Sequence, residues 1–290
     1  MSEPISLVFE TFKTCAIMID TLLKNPSTSY LASQNSSGDT QLQVDVQADK
    51  LIEERLLALA CVKGVCSEEK QEVVYGGDSA ESSARLIVAY DPLDGSSLVD
   101  SNLSIGTIFG IYDGVLESRA LVASGYIVYG ARLEIVLAHK QVEHWRYYEG
   151  AWHLLGTLRL KTKGKINAPG GTQQHWAGRH KALVESLFAQ GYRLRYSGGM
   201  VPDLHQILIK GGGLFSYPAT QDAPEGKLRK LFEVFPFAFV YECAGGEAID
   251  GTKRLLDLSV EHIHDTTPCF FGSSEEIAQV RRAYSLDKNA

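Results

Sequence analysis

The stretch Leu86-Ile87-Val88-Ala89-Tyr90 runs without interruption into Asp91-Pro92-Leu93-Asp94-Gly95-Ser96-Ser97. Five apolar residues in a row, bounded by turn formers, are the pattern of a fully buried strand. Such a strand has to be covered on both faces. Residues 104–112, 121–129 and 133–137 are strand-like as well, with glycine-bearing turns among them, and 144–163 continues with exposed aromatics. The covering material is helical. Ile5, Phe9, Phe12, Ala16, Ile19 and Leu23 recur at three-to-four spacing, and Leu51, Ile52, Leu56, Leu59 and Ala60 do so over 47–60. Between them, 25–40 is rich in Ser, Asn and Gly and reads as a mobile loop.

The segment 163–174, rich in Gly, Pro and polar residues, is the best boundary between two domains, 1–165 and 166–290. Beyond it the pattern predicts helices over 177–190, 202–210 and 226–234. Pro236 opens a further helix and Gly245-Gly246 closes it. Ser273 and Glu276 have capping-box spacing before a last helix, 274–285. Strands and helices in this order imply an α/β fold built as a layered sandwich.

The 290 residues carry a formal charge of −7, with neither the basic excess nor the basic stripe of a nucleic-acid binder. Lys13, Thr14 and Asp20 interrupt the apolar N-terminus, which predicts no signal peptide and no membrane contact, hence a cytoplasmic protein. The five cysteines, Cys15, Cys61, Cys66, Cys243 and Cys269, are odd in number and scattered, which argues against a disulfide framework. An acidic chain can still bind a phosphorylated ligand where local Lys, Arg or metal ions receive it.

The Asp91–Ser97 segment carries that possibility. Two carboxylates leave a strand end three residues apart, and Pro92 holds Asp91 extended. A turn through 92–95 brings Asp94 back beside Asp91. Clustered carboxylates repel unless a cation neutralises them, and hard oxygen ligands suit Mg2+ or Mn2+. Gly95 permits a tight turn, so the N–H groups of 95–97 can converge on an anion. The same residues also make ordinary Asp-Pro turns. Two further acidic groups, Glu68-Glu69 and Asp39 with Asp45, favour a metal site with a base beside it.

Asp91–Ser97 followed by Ser104-Ile105-Gly106-Thr107-Ile108-Phe109-Gly110-Ile111-Tyr112 closely resembles class I fructose-1,6-bisphosphatase. The resemblance continues through Arg195-Tyr196-Ser197-Gly198-Gly199-Met200-Val201-Pro202-Asp203-Leu204-His205 and Gly213-Leu214-Phe215-Ser216-Tyr217-Pro218-Ala219. It extends to Gly226-Lys227-Leu228-Arg229 with Glu233, Pro236 and Ala244-Gly245-Gly246. It implies a layered α-β-α-β-α sandwich and hydrolysis of the 1-phosphate of fructose 1,6-bisphosphate, in gluconeogenesis or carbon fixation. By resemblance, Glu68, Asp91, Asp94, Glu233 and the Leu93 carbonyl hold Mg2+ or Mn2+. Glu69 helps at the metal or with the attacking water, Asp45 serves proton transfer, and Asp39 lies on a mobile catalytic loop. The N–H groups of Gly95, Ser96 and Ser97 grip the departing phosphate. Arg195, Tyr196, Tyr217 and Asn167 bind the distal phosphate, with Arg195 reaching a neighbouring subunit of a homo-oligomer, a tetramer or dimer. Met200 and Lys227 contact the sugar. His205, taken alone, reads as structural.

Three departures from the family pattern stand out. Asn167-Ala168-Pro169-Gly170 replaces Asn-Glu-Gly-Tyr, so a phosphate-binding tyrosine is missing. Leu86 and Asp113 replace a tyrosine and an arginine of the family's AMP site, whose N-terminal Thr-Gly-Glu stretch is absent too. The connection from Tyr112 to Leu121 leaves no room for a cysteine-bearing regulatory insertion. Sedoheptulose-1,7-bisphosphatase or dual activity is the rival within the class, together with inositol monophosphatase. A metal-dependent sugar-phosphate sensor is the rival outside it.

Overall fold

The computed structural model describes residues 2–24, 30–34, 40–76 and 84–285. Its helices are α1 (Glu3–Leu23), α2 (Gln43–Leu57), α3 (Gly178–Ala189), α4 (Met200–Lys210), α5 (Phe235–Cys243) and α6 (Ser274–Ser285). Eight strands form the larger sheet, in the spatial order Ala151–Thr157, Val142–Tyr148, Leu133–Ala138, Leu121–Tyr129, Ile105–Asp113, Leu86–Asp94, Val62–Ser67 and Val74–Tyr75. Only Val62–Ser67 and Leu86–Asp94 pair in parallel. A five-stranded sheet follows the order Arg193–Leu194, Ile166–Pro169, Gly213–Tyr217, Cys269–Gly272, Glu247–Ile249.

Side-chain alternation along the larger sheet decides the layering. Val88, Tyr90, Phe109, Ile127, Ile135 and Leu137 face α1 and α2, whose Phe9, Phe12, Ala16 and Ile52 complete that core. Phe12 stacks on Phe109 at 3.7 Å between ring centroids, with the rings nearly parallel. Ala89, Ile108, Tyr126, Val128 and Val136 face the other way, onto α4 and α5. Those two helices also receive Ala168, Phe215 and Phe271 from the smaller sheet, so they form a shared middle layer. The far face of the smaller sheet buries Leu214 and Phe270 against Leu187 of α3 and Ile277 of α6. The layers run α-β-α-β-α, as expected.

Local differences from the sequence reading have physical causes. The segment 163–174, loop-like in sequence, contains the strand Ile166–Pro169, which pairs in parallel with Gly213–Tyr217 and keeps its residues buried. Loop-like composition conceals it, because only a partner remote in sequence makes it a strand. The helix expected over 226–234 is instead a short strand, Leu228–Arg229, followed by a π-helical turn, Lys230–Val234, that leads into α5. Pro236 has no N–H, so a regular helix running from Lys230 through it would leave a carbonyl of the preceding turn without its donor. A wider turn ahead of it accommodates the defect, and the Leu231 carbonyl accepts from Tyr112 Oη at 3.2 Å instead. α6 begins as predicted, but not through a capping box. Glu276 Oε1 accepts from the Gly164 N–H at 2.7 Å and from Tyr192 Oη at 2.6 Å. Within the loop reading of 25–40, Tyr30–Gln34 pairs with Thr40–Leu42 as a small ribbon, while 25–29 and 35–39 lie outside the described residues.

Candidate active site

Three segments meet at the end of strand Leu86–Asp94. In the first, the antiparallel register with Ile105–Asp113 breaks between Asp91 and Asp94. Asp91 Oδ1 accepts the Leu93 N–H at 2.9 Å, and Thr107 Oγ1 donates to the Pro92 carbonyl at 2.8 Å. This Asx-type turn brings Asp94 beside Asp91. The second segment is the N-terminus of α4, whose Met200 and Val201 N–H groups donate to the two Asp94 carboxylate oxygens at 3.2 and 2.6 Å. Those N–H groups are otherwise orphans of the helix start. Gly106 lets α4 come this close, since a Cβ there would lie 2.4 Å from Val201 Cγ1. The third is the π-helical turn, where Glu233 Oε2 accepts the Arg229 N–H at 2.6 Å.

Asp91, Asp94 and Glu233 each offer a carboxylate oxygen, and these atoms lie within 4.8 Å of one another. All three side chains are buried, and so is Glu68, which pairs with the Arg229 guanidinium. Burial pushes the Asp91 carboxyl well above its ordinary value, and the charges of Glu68, Asp94 and Glu233 push it further. Burial raises Asp94 to about 7, although the Val201 and Met200 N–H groups pull it back. Burial, then Glu68, raises Glu233 to about 8 against the pull of Arg229. One guanidinium does not neutralise four carboxylates. An oxygen-only donor set of this charge fits a hard divalent cation, which would remove the repulsion outright.

A second cluster surrounds the Ile166–Pro169 strand. Asn167 is fully buried, and neither of its amide atoms has a hydrogen-bond partner among the described residues. A buried, unpaired amide is costly. Tyr196 and Tyr217 lie beside Gly170, where a Cβ would sit 2.6 Å from the Tyr217 ring and 3.1 Å from that of Tyr196. Burial, then the neighbouring Tyr217, raises the Tyr196 phenol to about 12, and burial raises Tyr217. Both therefore stay protonated and able to donate. Asp203 on α4 anchors the adjoining loop by accepting the Ser197 N–H with both oxygens, at 2.9 and 3.0 Å.

The remaining candidates are spread around these clusters. Asp45 is buried in the first turn of α2. Glu69 is half-buried, its N–H donating to Ser67 Oγ at 3.2 Å. Leu93 is buried. Gly95 has φ 79°, and Ser96 opens the 3-10 turn Ser96–Ser101, in which Ser97 is exposed. Met200 is buried at the start of α4, whereas Arg195 and Lys227 are exposed. Asp39 lies outside the described residues. Sequence reasoning gave Arg229 and Thr107 no role in the site. The four-residue spacing of Arg229 from Glu233 was the available signal; nothing marked Thr107.

A five-layer sandwich with a carboxylate cluster suited to a hard cation has the architecture of a metal-dependent phosphatase. The chain belongs to the class 1 fructose-1,6-bisphosphatase family: residues 6–155 match "Fructose-1-6-bisphosphatase, N-terminal domain" and residues 160–285 match the C-terminal domain of the same family. A class 1 fructose-1,6-bisphosphatase from Helicobacter hepaticus is 65% identical over 97% of this chain and 99% of its own length. That of Campylobacter curvus is 48% identical over 99% and 96%. Among solved structures, Leishmania major fructose-1,6-bisphosphatase in holo form superposes with a TM-score of 0.91 at 28% identity, covering 97% of this chain and 94% of that one. A candidate sedoheptulose-1,7 bisphosphatase from Toxoplasma gondii gives 0.90 at 30% identity, covering 99% and 95%.

Proposed function

We propose that the chain hydrolyses the 1-phosphate of fructose 1,6-bisphosphate to fructose 6-phosphate and phosphate, using Mg2+, with Mn2+ able to replace it. The buried, mutually repelling Asp91–Asp94–Glu233 cluster carries this reading. Glu68, Asp91, Asp94, Glu233 and the Leu93 carbonyl would hold the ions, which supply an acidified water and neutralise phosphoryl charge. The rest falls to the chain. Glu69 or Asp45 takes the proton from the attacking water. The N–H groups of Gly95, Ser96 and Ser97 hold the phosphate that is released. Asn167, Arg195, Tyr196 and Tyr217 hold the distal phosphate, Met200 and Lys227 contact the sugar, and Asp39 arrives with its loop. Residues 1–165 thus carry most of the metal chemistry and 166–290 the substrate grip, with Glu233 crossing over. No helix among the described residues is long and apolar enough to cross a membrane. We place the enzyme in the cytoplasm as a homo-oligomer, a tetramer by its resemblance to the family, in which exposed Arg195 reaches the neighbouring subunit.

Gly170 favours a second reading. Gly170 stands where the family carries a tyrosine, beside Tyr196 and Tyr217, and its carbonyl accepts from Trp176 Nε1 at 3.0 Å. That supports turnover of the longer sedoheptulose 1,7-bisphosphate as well. Phosphate release from fructose 1,6-bisphosphate, sedoheptulose 1,7-bisphosphate and inositol 1-phosphate, with Mg2+ and with EDTA, separates the readings. Cation-dependent turnover strongest on the fructose substrate is expected. Silence on all three substrates in folded, Mg2+-supplied protein would leave a sugar-phosphate sensor.

A further inference from the structure

A second convergent group lies on the face of the larger sheet that meets α4. Glu134 sits in strand Leu133–Ala138 and His144 in the neighbouring strand Val142–Tyr148. Val136, two residues after Glu134 and on the same face, stands opposite His144. His205 descends onto them from the middle of α4. His144 Nε2 and His205 Nε2 both point at Glu134 Oε2, at 2.7 and 3.2 Å, and the three donor atoms lie within 4.8 Å of one another. Three ligands about 2.0–2.1 Å from a tetrahedral ion stand roughly 3.3–3.4 Å apart, so modest adjustment admits a common centre.

Behind two of the three, His205 and Glu134, the second polar atom is also held. His205 Nδ1 meets Tyr126 Oη at 3.1 Å, and Glu134 Oε1 accepts Arg146 Nε at 2.7 Å. Metal-binding histidines and carboxylates characteristically have their second polar atom held in this way. The phenol both donates and accepts, so it serves either tautomer of His205. Glu134 and His144 are buried, and the His205 side chain is only 15% exposed. Arg146 already balances the single charge of Glu134, so two imidazoles trained on one oxygen exceed what pairing requires.

We propose that Glu134, His144 and His205 form a second metal site, selective for a borderline divalent ion of the zinc class. Two imidazoles and one carboxylate prefer such an ion to Mg2+. The fourth position, as in other three-ligand zinc sites, goes to water. The ion ties the middle of α4 to the sheet, while the first turn of the same helix holds Asp94. The proposal stands independently of the sugar substrate.

Chelator-stripped full-length protein would be placed in excess Mg2+ to fill the carboxylate cluster. It would then be given one equivalent of Zn2+, desalted and assayed for zinc, and crystals of the same preparation examined by anomalous scattering at the zinc edge. One zinc per chain, seated among the three side chains, is expected. Glu134→Gln should lose it, and the shape-preserving Tyr126→Phe should weaken it about 10–100-fold. Zinc retention unchanged in Glu134→Gln, or an anomalous peak only at Asp91, Asp94 and Glu233, overturns the proposal.

Discussion

Replacing Asp91 with Asn should destroy activity and stabilise the metal-free protein. The Asp91 carboxyl is raised well above 3.8 by burial and by three neighbouring carboxylates. A group raised on folding stabilises the fold fully at low pH and loses that contribution as pH climbs towards its folded value. At pH 7 the metal-free wild type must either hold a proton that the unfolded chain has shed or keep four carboxylates together. Holding the proton from 3.8 up to pH 7 costs about 4 kcal/mol, which is a ceiling. Asn pays none of it. Its amide oxygen can still accept the Leu93 N–H, and its NH2 can donate to the neighbouring carboxylates. A gain of half the ceiling, about 2 kcal/mol, would raise the melting point of a 290-residue chain by roughly 3 °C. Thermal unfolding of both proteins at pH 4, 5.5 and 7.5, in EDTA and in Mg2+, measures it. The two should coincide near pH 4 and diverge with rising pH in EDTA. Mg2+ should close the gap by stabilising the wild type alone. If Asp91→Asn is no more stable at pH 7.5 in EDTA, or its advantage does not change with pH, the repulsion argument fails.

Asp94→Asn should gain less stability than Asp91→Asn, because an amide leaves one of the Met200 and Val201 N–H groups facing another donor, a loss of about 1–3 kcal/mol. Its phosphate release should fall at least ~100-fold, and unchanged activity would remove Asp94 from the metal site. Asn167→Leu should stabilise the protein by about 1–3 kcal/mol by deleting a buried unpaired amide. It should also raise KM on the order of 10-fold or more; an unchanged KM would separate Asn167 from the distal phosphate. Gly170→Tyr, which restores the family residue, should cost about 1–3 kcal/mol through its collision with Tyr217 and Tyr196. Its KM ratio for sedoheptulose and fructose bisphosphates, measured by phosphate release, should shift against the longer sugar.

Much of this was visible in the sequence because it is local. The three-to-four spacing of Phe9, Phe12 and Ala16 made α1 legible, and the turn that unites Asp91 with Asp94 is written in seven consecutive residues. Glu233 arrives 139 positions after Asp94, and resemblance rather than periodicity placed it there. Helical spacing over 226–234 gave no warning of the π-helical turn that aims it inward. That turn depends on a proline two residues after the π stretch and on the Tyr112 hydroxyl from another layer. The pairing of Ile166–Pro169 and the isolation of the Asn167 amide were equally hidden, since both depend on what surrounds the segment. His205 read as structural because Glu134 and His144, its partners, lie some 60–70 positions away.

One helix connects the parts of this site. Its first N–H groups grip Asp94 at the end where the phosphoryl group would be cleaved. Its Asp203 holds Ser197, next to Arg195 and Tyr196 at the proposed distal-phosphate end. The spacing between the two ends is therefore set by the opening turns of α4 rather than by independent loops. Such a rigid connection rewards a ligand that engages both ends at once, because neither end has to be ordered by binding. On the proposed reading, a monophosphate would engage one end and leave the Asn167 amide buried and unpaired. On that reading, discrimination in favour of a bisphosphate would follow from the same helix that holds Asp94, and α4 also carries His205 of the proposed zinc site. Fixing the middle of this helix would hold its first turn, and with it the alignment of Asp94 against the distal pocket.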